Sequence, residues 1–557
     1  MVFSQITTEI GEVNSISIKA EYLTAPLALF SDFLATHNNA LLLESAEIDS
    51  KDNLKSLMLL DTAVKFECHG ARVYVEALVE NGKPVLTFLH ECFIDNPEHA
   101  KVITFEPNEL VIEFNAIEQN ISEETRLKQS NAFEVLRSTV DKIKSPEDSP
   151  FSLFLGGAFS YDMLANFEQL PDVPLGQNSC PDYIFYLAET MVIIDHQNKT
   201  TELLGNVFGG ENAYSNCFSV GKKLESIKKH IEKTNAENRN LLTDESQFGF
   251  NLISKNLRKD VTVNVSDEQF KQQVIKLKNN IIQGDVFQVV PSRCFSLECQ
   301  SPLDAYRHLK KDNPSPYMFY LKSEDFVLFG ASPESALKYC SESRQVEIYP
   351  IAGTRVRGFN SDGSINNDLD SRIELDLRND KKEVAEHMML VDLARNDVAR
   401  ISETGSRHTK ELLKVDRYSY VMHLISRVVG SLRSDLDALH AYQACMNMGT
   451  LVGAPKISAA TLIRETEQQG RGSYGGAVGY LNGAGDMDTC IVIRSAFVKD
   501  GIAHVQAGAG VVYDSDPDSE VQETFNKAQA VIRSIKASEA YQTSNVSNAA
   551  STQNSKG

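Results

Sequence analysis

Two groups of glutamates have the spacing to gather oxygen ligands. Glu383, Glu386 and His387 stand at i, i+3 and i+4, which places them on one side of a helix. Glu520 and Glu523 repeat the i, i+3 interval in Ser519-Glu520-Val521-Gln522-Glu523-Thr524. Either group alone could be a solvated helix face. Their settings add weight: Glu386 leads into an apolar helix and then Arg395-Asn396-Asp397, while Glu520 and Glu523 follow a glycine-rich strand end. Carboxylates converging from two helices suit a hard cation such as Mg2+, which takes one or two carboxylates and keeps several waters.

Glycines offer a second kind of chemistry. Gln506-Ala507-Gly508-Ala509-Gly510 ends one apolar strand and Ile351-Ala352-Gly353-Thr354 ends another. Backbone amides bared by glycine can hold an anion, although tight turns look the same. Neither run is a Walker A loop or a dinucleotide fingerprint. Arg494 lies in the apolar run Ile491-Val492-Ile493-Arg494, where a buried charge requires a partner. A structural salt bridge and a carboxylate-binding role both satisfy that need. Tyr474 precedes the same sheet in Ser473-Tyr474-Gly475-Gly476.

The elements that must position these residues are of both kinds. Val478 to Leu481, Cys490 to Val498 and Ala503 to Ala507 are short and β-rich, and Asn482-Gly483 and Asp500-Gly501 between them are hairpin signals. An antiparallel meander is expected. Residues 380–401 carry a helical period, with Val384, Met388, Val391 and Val398 on one face. Ser266-Asp267-Glu268-Gln269 is a capping box before Phe270, Val274, Leu277 and Ile281. The fold class is therefore α+β, antiparallel β-sheets flanked by helices. Residues 1–264 form an N-terminal region that includes a polar connector over 228–264, and residues 265–537 form the region holding the glutamates and glycines. Residues 538–557, rich in Ser, Asn, Thr and Gln, read as a disordered tail.

Composition narrows the class. The net charge of −21, from 55 basic and 76 acidic residues, repels nucleic acid and anionic membranes, and no basic stripe offsets it. An anionic substrate would need local cations, because salt screens the wider field beyond roughly 8 Å. No apolar run reaches the ~20 residues of a membrane span. The start, Met1-Val2-Phe3-Ser4-Gln5, has neither a basic stretch nor an apolar run, so a cytoplasmic address is expected. The nine cysteines are scattered and never in CxxC spacing, against a disulfide framework or zinc site. None sits in a Gly-x-Cys-x-Gly elbow, so the chain carries no recognisable glutaminase nucleophile. Tryptophan is absent altogether.

The runs Pro350-Ile351-Ala352-Gly353-Thr354-Arg355, Glu386 to Asp397, and Gly508-Ala509-Gly510 with Glu520 and Glu523 resemble the chorismate-utilising enzymes. That family includes anthranilate, aminodeoxychorismate, isochorismate and salicylate synthases. The resemblance is strong over residues 265–535. Leu42-Leu43-Glu44-Ser45 and Cys180-Pro181-Asp182-Tyr183 are similar to the large subunits of the anthranilate-forming branch, enterobacterial type. Aminodeoxychorismate synthases carry a nucleophilic lysine where this chain has Ala352. Isochorismate and salicylate synthases activate water with a lysine where this chain has Gln288. With neither lysine, direct attack by ammonia fits, and with it the anthranilate branch. The alternatives are another chorismate enzyme or a non-catalytic tryptophan-sensing homologue. The latter should have lost carboxylates, and all four are present.

The resemblance implies a site. Mg2+ would be held by Glu386 and Glu523, with Glu383 and Glu520 in support, and would ligate the ring carboxylate of chorismate. Tyr474, Arg494, Gly353, Thr354 and the amides of Gly508, Ala509 and Gly510 would hold the substrate's carboxylates and hydroxyl. Glu334, in Ala331-Ser332-Pro333-Glu334-Ser335, resembles the general acid for loss of the C4 hydroxyl, a task that needs a raised pKa. His423 and Thr450 resemble residues beside the departing enolpyruvyl group. A glutamine amidotransferase subunit would supply ammonia, in a heterotetramer of two large and two small subunits. Glu44, Ser45, Pro316, Tyr317 and Met318 resemble the family's L-tryptophan inhibitor site.

Overall fold

A computed structural model describes residues 6–45, 54–95, 99–145, 149–241, 257–360, 362, 364–418 and 421–554. One hydrogen-bonded sheet system closes on itself, and Gln288–Val289 forms a separate small ribbon with Gly453–Ala454. The strand pairings are antiparallel, as the hairpin signals require, and helices pack against them. The expected α+β class is the one found. No helix of the described residues is long and apolar enough to cross a membrane.

The two regions share sheets rather than standing apart. Strand Ala40–Glu44 lies between Lys55–His69 and Tyr317–Lys322, and Phe154–Phe159 pairs with Ala477–Asn482. One apolar core accordingly mixes Leu41, Leu57, Phe154 and Tyr186 with Phe319, Leu328, Val478 and Val492.

The capping box is present: the Ser266 hydroxyl accepts the Gln269 amide, and the Gln269 side chain accepts the Ser266 amide. It opens helix Asp267–Gln283, which buries Phe270, Val274 and Leu277. The expected helix spans Lys381–Ile401, capped by the Asp380 carboxylate. Its buried face is rotated from the expected one. His387, Leu390, Val391, Ala394, Val398 and Ile401 point inward, whereas Met388 is 40% exposed.

Three boundaries differ from expectation. Residues 228–241 are not connector but the end of helix Ala213–Leu241. The reason is a stripe at Val220, Leu224, Ile227 and Ile231, buried to 1% exposure or less and diluted in sequence by Lys and Glu. The rest of the expected connector up to 256 lies outside the described residues. The expected tail instead continues helix Pro517–Asn554. Adding a residue to an existing helix fixes one residue for one hydrogen bond, so a polar run can extend it without an apolar face. Residues 555–557 lie outside the described residues. Last, the expected strand Cys490 to Val498 is two strands. Met487–Ile491 pairs with Ser335–Cys340, and Ser495–Lys499 pairs with Val327–Ser332. The meander is broken there, at Arg494, whose φ of 49° is left-handed.

Candidate active site

The break at Arg494 faces another. Glu334 occupies the short gap between strands Val327–Ser332 and Ser335–Cys340, and the chains are tied across it: the Ile491 amide donates to the Glu334 carbonyl and the Ala331 amide to the Arg494 carbonyl. Two interrupted strands thus bring an acid and a guanidinium to one place. The cavity behind Glu334, about 20 Å3, is walled by Ile348, Pro350, Leu390, Leu393 and Met448 together with Asp397 and Thr450, and has room for about one water. Burial pushes the Glu334 carboxyl up to about 8, against the opposing pull of Thr450 and Arg494. Thr450 lies beside Glu334, but its buried hydroxyl is not in a well-formed hydrogen bond.

Arg494 forms no ion pair within 4.0 Å among the described residues; burial lowers its pKa, opposed by Tyr474, Glu523 and Glu334 nearby. Of the two roles open in the sequence, the structural salt bridge is therefore not observed. An under-compensated guanidinium is suited to an incoming carboxylate.

Gly353 does not end a strand but sits inside Ile351–Val356, at a bulge with φ 77°. A Cβ there would come 3.2 Å from Glu383 Oε2, so glycine permits the close approach of the two segments. Thr354 pairs across the sheet with His423, and Thr354 Oγ1 lies 2.9 Å from His423 Nδ1. Burial pulls the His423 imidazole down to about 4, with Arg494 adding to the effect, so the ring is neutral at pH 7.

The glutamates lie within electrostatic reach of one another. Glu383 and Glu523 both act on Glu386, whose pKa burial raises and their charges raise further. Glu520 is pushed up to about 7, first by burial and also by Glu523, and its buried Oε2 has no hydrogen-bond partner. Lys527 pairs with Glu523 at 2.6 Å and Lys382 lies 3.7 Å from Glu386. Among the described residues, no three His, Cys, Asp or Glu side chains are gathered as a finished metal cage. The donor set still fits Mg2+: oxygen only, from two helices, mutually repelling, with one orphaned oxygen. Glu383 is already bonded to Arg355 at 2.7 Å, which suits a supporting place. His387 is no part of this set, since it turns inward to Ser426 Oγ at 2.7 Å.

The glycine-rich strand end needs one correction. The Ala509 amide is donated to the Pro291 carbonyl, so it is not free for an anion. Tyr474 is buried against the same strand, its hydroxyl 3.0 Å from where a Cβ on Gly508 would stand; burial pushes its phenol up to about 12.

Two residues of the site were missed in the sequence. Lys527 reaches both Glu523 and the Gly508 carbonyl, and its i+4 interval from Glu523 was the available signal. Arg471, 1% exposed, donates to the carbonyls of Leu451 and Val290 and to Glu467, and lies over the rings of Tyr161 and Tyr474. An arginine inside Gly470-Arg471-Gly472 gives no periodic signal of burial.

The expected inhibitor segments are also brought together. Glu44 and Met318 are direct cross-strand partners. Glu44 is buried, with Tyr306 Oη at 2.8 Å and Lys310 Nζ at 2.7 Å. The Ser45 amide donates to the Lys55 carbonyl, and Pro316 leads into the strand that holds Met318. Tyr317 lies on the other face of that strand, its hydroxyl 3.1 Å from Asp488 Oδ1.

Known proteins resemble this chain in sequence and fold. The chain is 55% identical over 515 residues to anthranilate synthase component 1 of Vibrio cholerae, covering 92% of this chain and 94% of that one. It is 51% identical over 521 residues to the Escherichia coli protein of the same name, covering 93% and 96%. The crystal structure of anthranilate synthase component I from Streptococcus pneumoniae superposes with a TM-score of 0.60 at 29% identity, covering 92% and 99%. The menaquinone-specific isochorismate synthase of Escherichia coli shares the fold, with a TM-score of 0.62 at 17% identity over 96% of each chain. Residues 90–533 match the family described as chorismate binding enzyme, and it is to this family that the chain belongs.

Proposed function

We propose that this chain converts chorismate and ammonia to anthranilate, pyruvate and water, as the large subunit of an anthranilate synthase. The observation that carries the reading is identity of about half over more than nine-tenths of the chain to proteins named anthranilate synthase component 1. Ala352 and Gln288 support it, since neither can act as the lysine nucleophile or base of the sister reactions.

In this reading Arg494 and Tyr474 receive the substrate's carboxylates, and the Gly353 to Thr354 bulge orients the ring. Glu386 and Glu523, with Glu383 and Glu520 in support, would hold Mg2+; when bound, that ion neutralises the ring carboxylate and the repulsion among the four side chains. Ammonia adds at C2. Glu334, still protonated at pH 7, gives its proton to the departing C4 hydroxyl. Neutral His423, held by Thr354, and Thr450 flank the enolpyruvyl group, which leaves as pyruvate when the C2 proton is lost.

The name component 1 implies a second component. We assign it the glutaminase step, because no Gly-x-Cys-x-Gly nucleophile elbow occurs in this chain. A cytoplasmic complex of two large and two small subunits completes the reading, inhibited by L-tryptophan bound at Glu44, Ser45, Pro316 and Met318, with Tyr317 offering its backbone alone because its side chain points to the other face. The test is product identification from purified chain with chorismate, Mg2+ and ammonium. Anthranilate with equimolar pyruvate is expected; isochorismate, salicylate or aminodeoxychorismate would assign a sister reaction, and no turnover would leave only a binding protein.

A further inference from the structure

We infer that Lys310 is a built-in occupant of the ammonium subsite in the inhibitor pocket, and so sets how tightly an amino acid can bind there. The inference rests on the reading of Glu44 as part of an L-tryptophan site. The Glu44 side chain is 3% exposed, and its Oε1 receives Lys310 Nζ at 2.7 Å and the Ser56 hydroxyl at 3.4 Å. Its Oε2 receives the Tyr306 hydroxyl at 2.8 Å. Ser56 is backed in turn by His196, which Tyr22 holds from its other ring nitrogen. The carboxylate is thus aimed by a fixed neutral frame, and among the described residues Lys310 is the one cation within ion-pair distance of it.

An ε-ammonium and an α-ammonium are the same chemical head, a compact charge with three donors. A ligand ammonium bonding to Glu44 must therefore replace Lys310 or crowd a second positive charge against it. Lys310 can be displaced. Its side chain is 36% exposed, so its head can return to water. It also stands in the last turn of helix Pro302–Asp312, where the unpaired carbonyls favour a cation. Tyr306 and Ser56 are buried and neutral, and stay to orient the carboxylate for either occupant.

Calorimetric titration of L-tryptophan into the full chain tests this. Lys310→Met leaves the subsite empty and should bind roughly 5- to 150-fold more tightly than the parent, the ordinary range of coupling between competing states. Lys310→Gln serves the same purpose should the methionine variant fail to fold. Lys310→Arg keeps a cation on Glu44 and should bind no more tightly than the parent. Unchanged or weaker binding by the neutral variants, with the parent binding normally, would overturn the inference and leave the inhibitor site standing. Absence of tryptophan binding by parent and variants alike would remove both.

Discussion

Glu334 and Arg494 sit at facing breaks in two pairs of strands, and each break is tied to the other by one backbone hydrogen bond, 3.0 Å at Glu334 and 3.1 Å at Arg494. The acid is buried and keeps its proton to about pH 8. At pH 7 it is a donor, and turnover that needs the donor should fall as pH rises through about 8. Glu334→Gln should lower kcat by about 10²- to 10⁴-fold, the range for a general acid, and remove the alkaline limb near 8. Stability follows the same proton. An unfolded glutamate loses it at ~4.3, so between there and about 8 the folded chain holds a proton that the unfolded chain lacks. This group's contribution to stability therefore declines as pH rises across that window, and the Gln variant should show a flatter profile in thermal melts. An alkaline limb unmoved by the substitution would assign the proton elsewhere.

The facing breaks explain which parts of the molecule were legible beforehand. Asp500-Gly501 and the Ser266 capping box are local, and each forms the turn or helix start that its residues dictate, while the hairpin signalled at Asn482-Gly483 turns through residues 483–486 with Gly485 left-handed. The glutamates were found because i, i+3 spacing is also local. Arg494 was legible as a charge in an apolar run but not as a left-handed kink, since strands on either side have the same apolar character. The Thr354–His423 contact and the Glu44–Met318 pairing depend on strand register between distant segments, which period-2 alternation alone does not specify. The end of helix Ala213–Leu241 reads as connector in the sequence because charged residues outnumber its narrow buried stripe.

The glutamates that raise one another's pKa across two helices predict a second outcome. Glu386→Gln and Glu523→Gln each remove a charge from a set that already repels itself. Both variants should fold as the parent does and should lose ~100-fold or more of activity at limiting Mg2+, since even outer partners of a metal cost 10–100-fold. Glu383→Gln should cost less, because Arg355 already engages that carboxylate. Titration of activity against Mg2+ checks the order, and near-parental activity of the Glu386 variant at limiting metal would exclude the assignment.

Ala352 opposes Leu424 one residue before the Gly353 bulge, so a side chain added there stands beside the site's own strand. Ala352→Lys should depress anthranilate formation and introduce an amine that competes with ammonia for the ring. Kinetics across ammonium concentrations, with mass spectrometry of the chain after chorismate, would detect both effects. Parental kinetics and an unmodified chain would show that position 352 does not face the ring.

The proposed inhibition by L-tryptophan is testable at the strand pair of Glu44 and Met318. Glu44 and Met318 are cross-strand neighbours, while Ser45 follows Glu44 at the strand's end and is only partly buried. Ser45→Phe should fill the space beside Glu44 with little cost to the fold. Met318→Thr acts from within the core, where Met318 is 1% exposed, and should cost about 2–5 kcal/mol of stability as methionine truncations do. Both should relieve inhibition by L-tryptophan while sparing turnover at saturating chorismate. The inhibitor can act only by binding one conformation better than another. A coupling of about 1–3 kcal/mol would weaken chorismate binding some 5- to 150-fold, and chorismate must weaken tryptophan binding by the same factor. Chorismate titrations at several tryptophan concentrations, and the reverse by calorimetry, measure that factor from both sides. Because Met318→Thr also lowers stability, its melting temperature must be followed alongside. Ser45→Phe then decides the matter: inhibition equal to that of the parent would place the tryptophan site away from this strand pair.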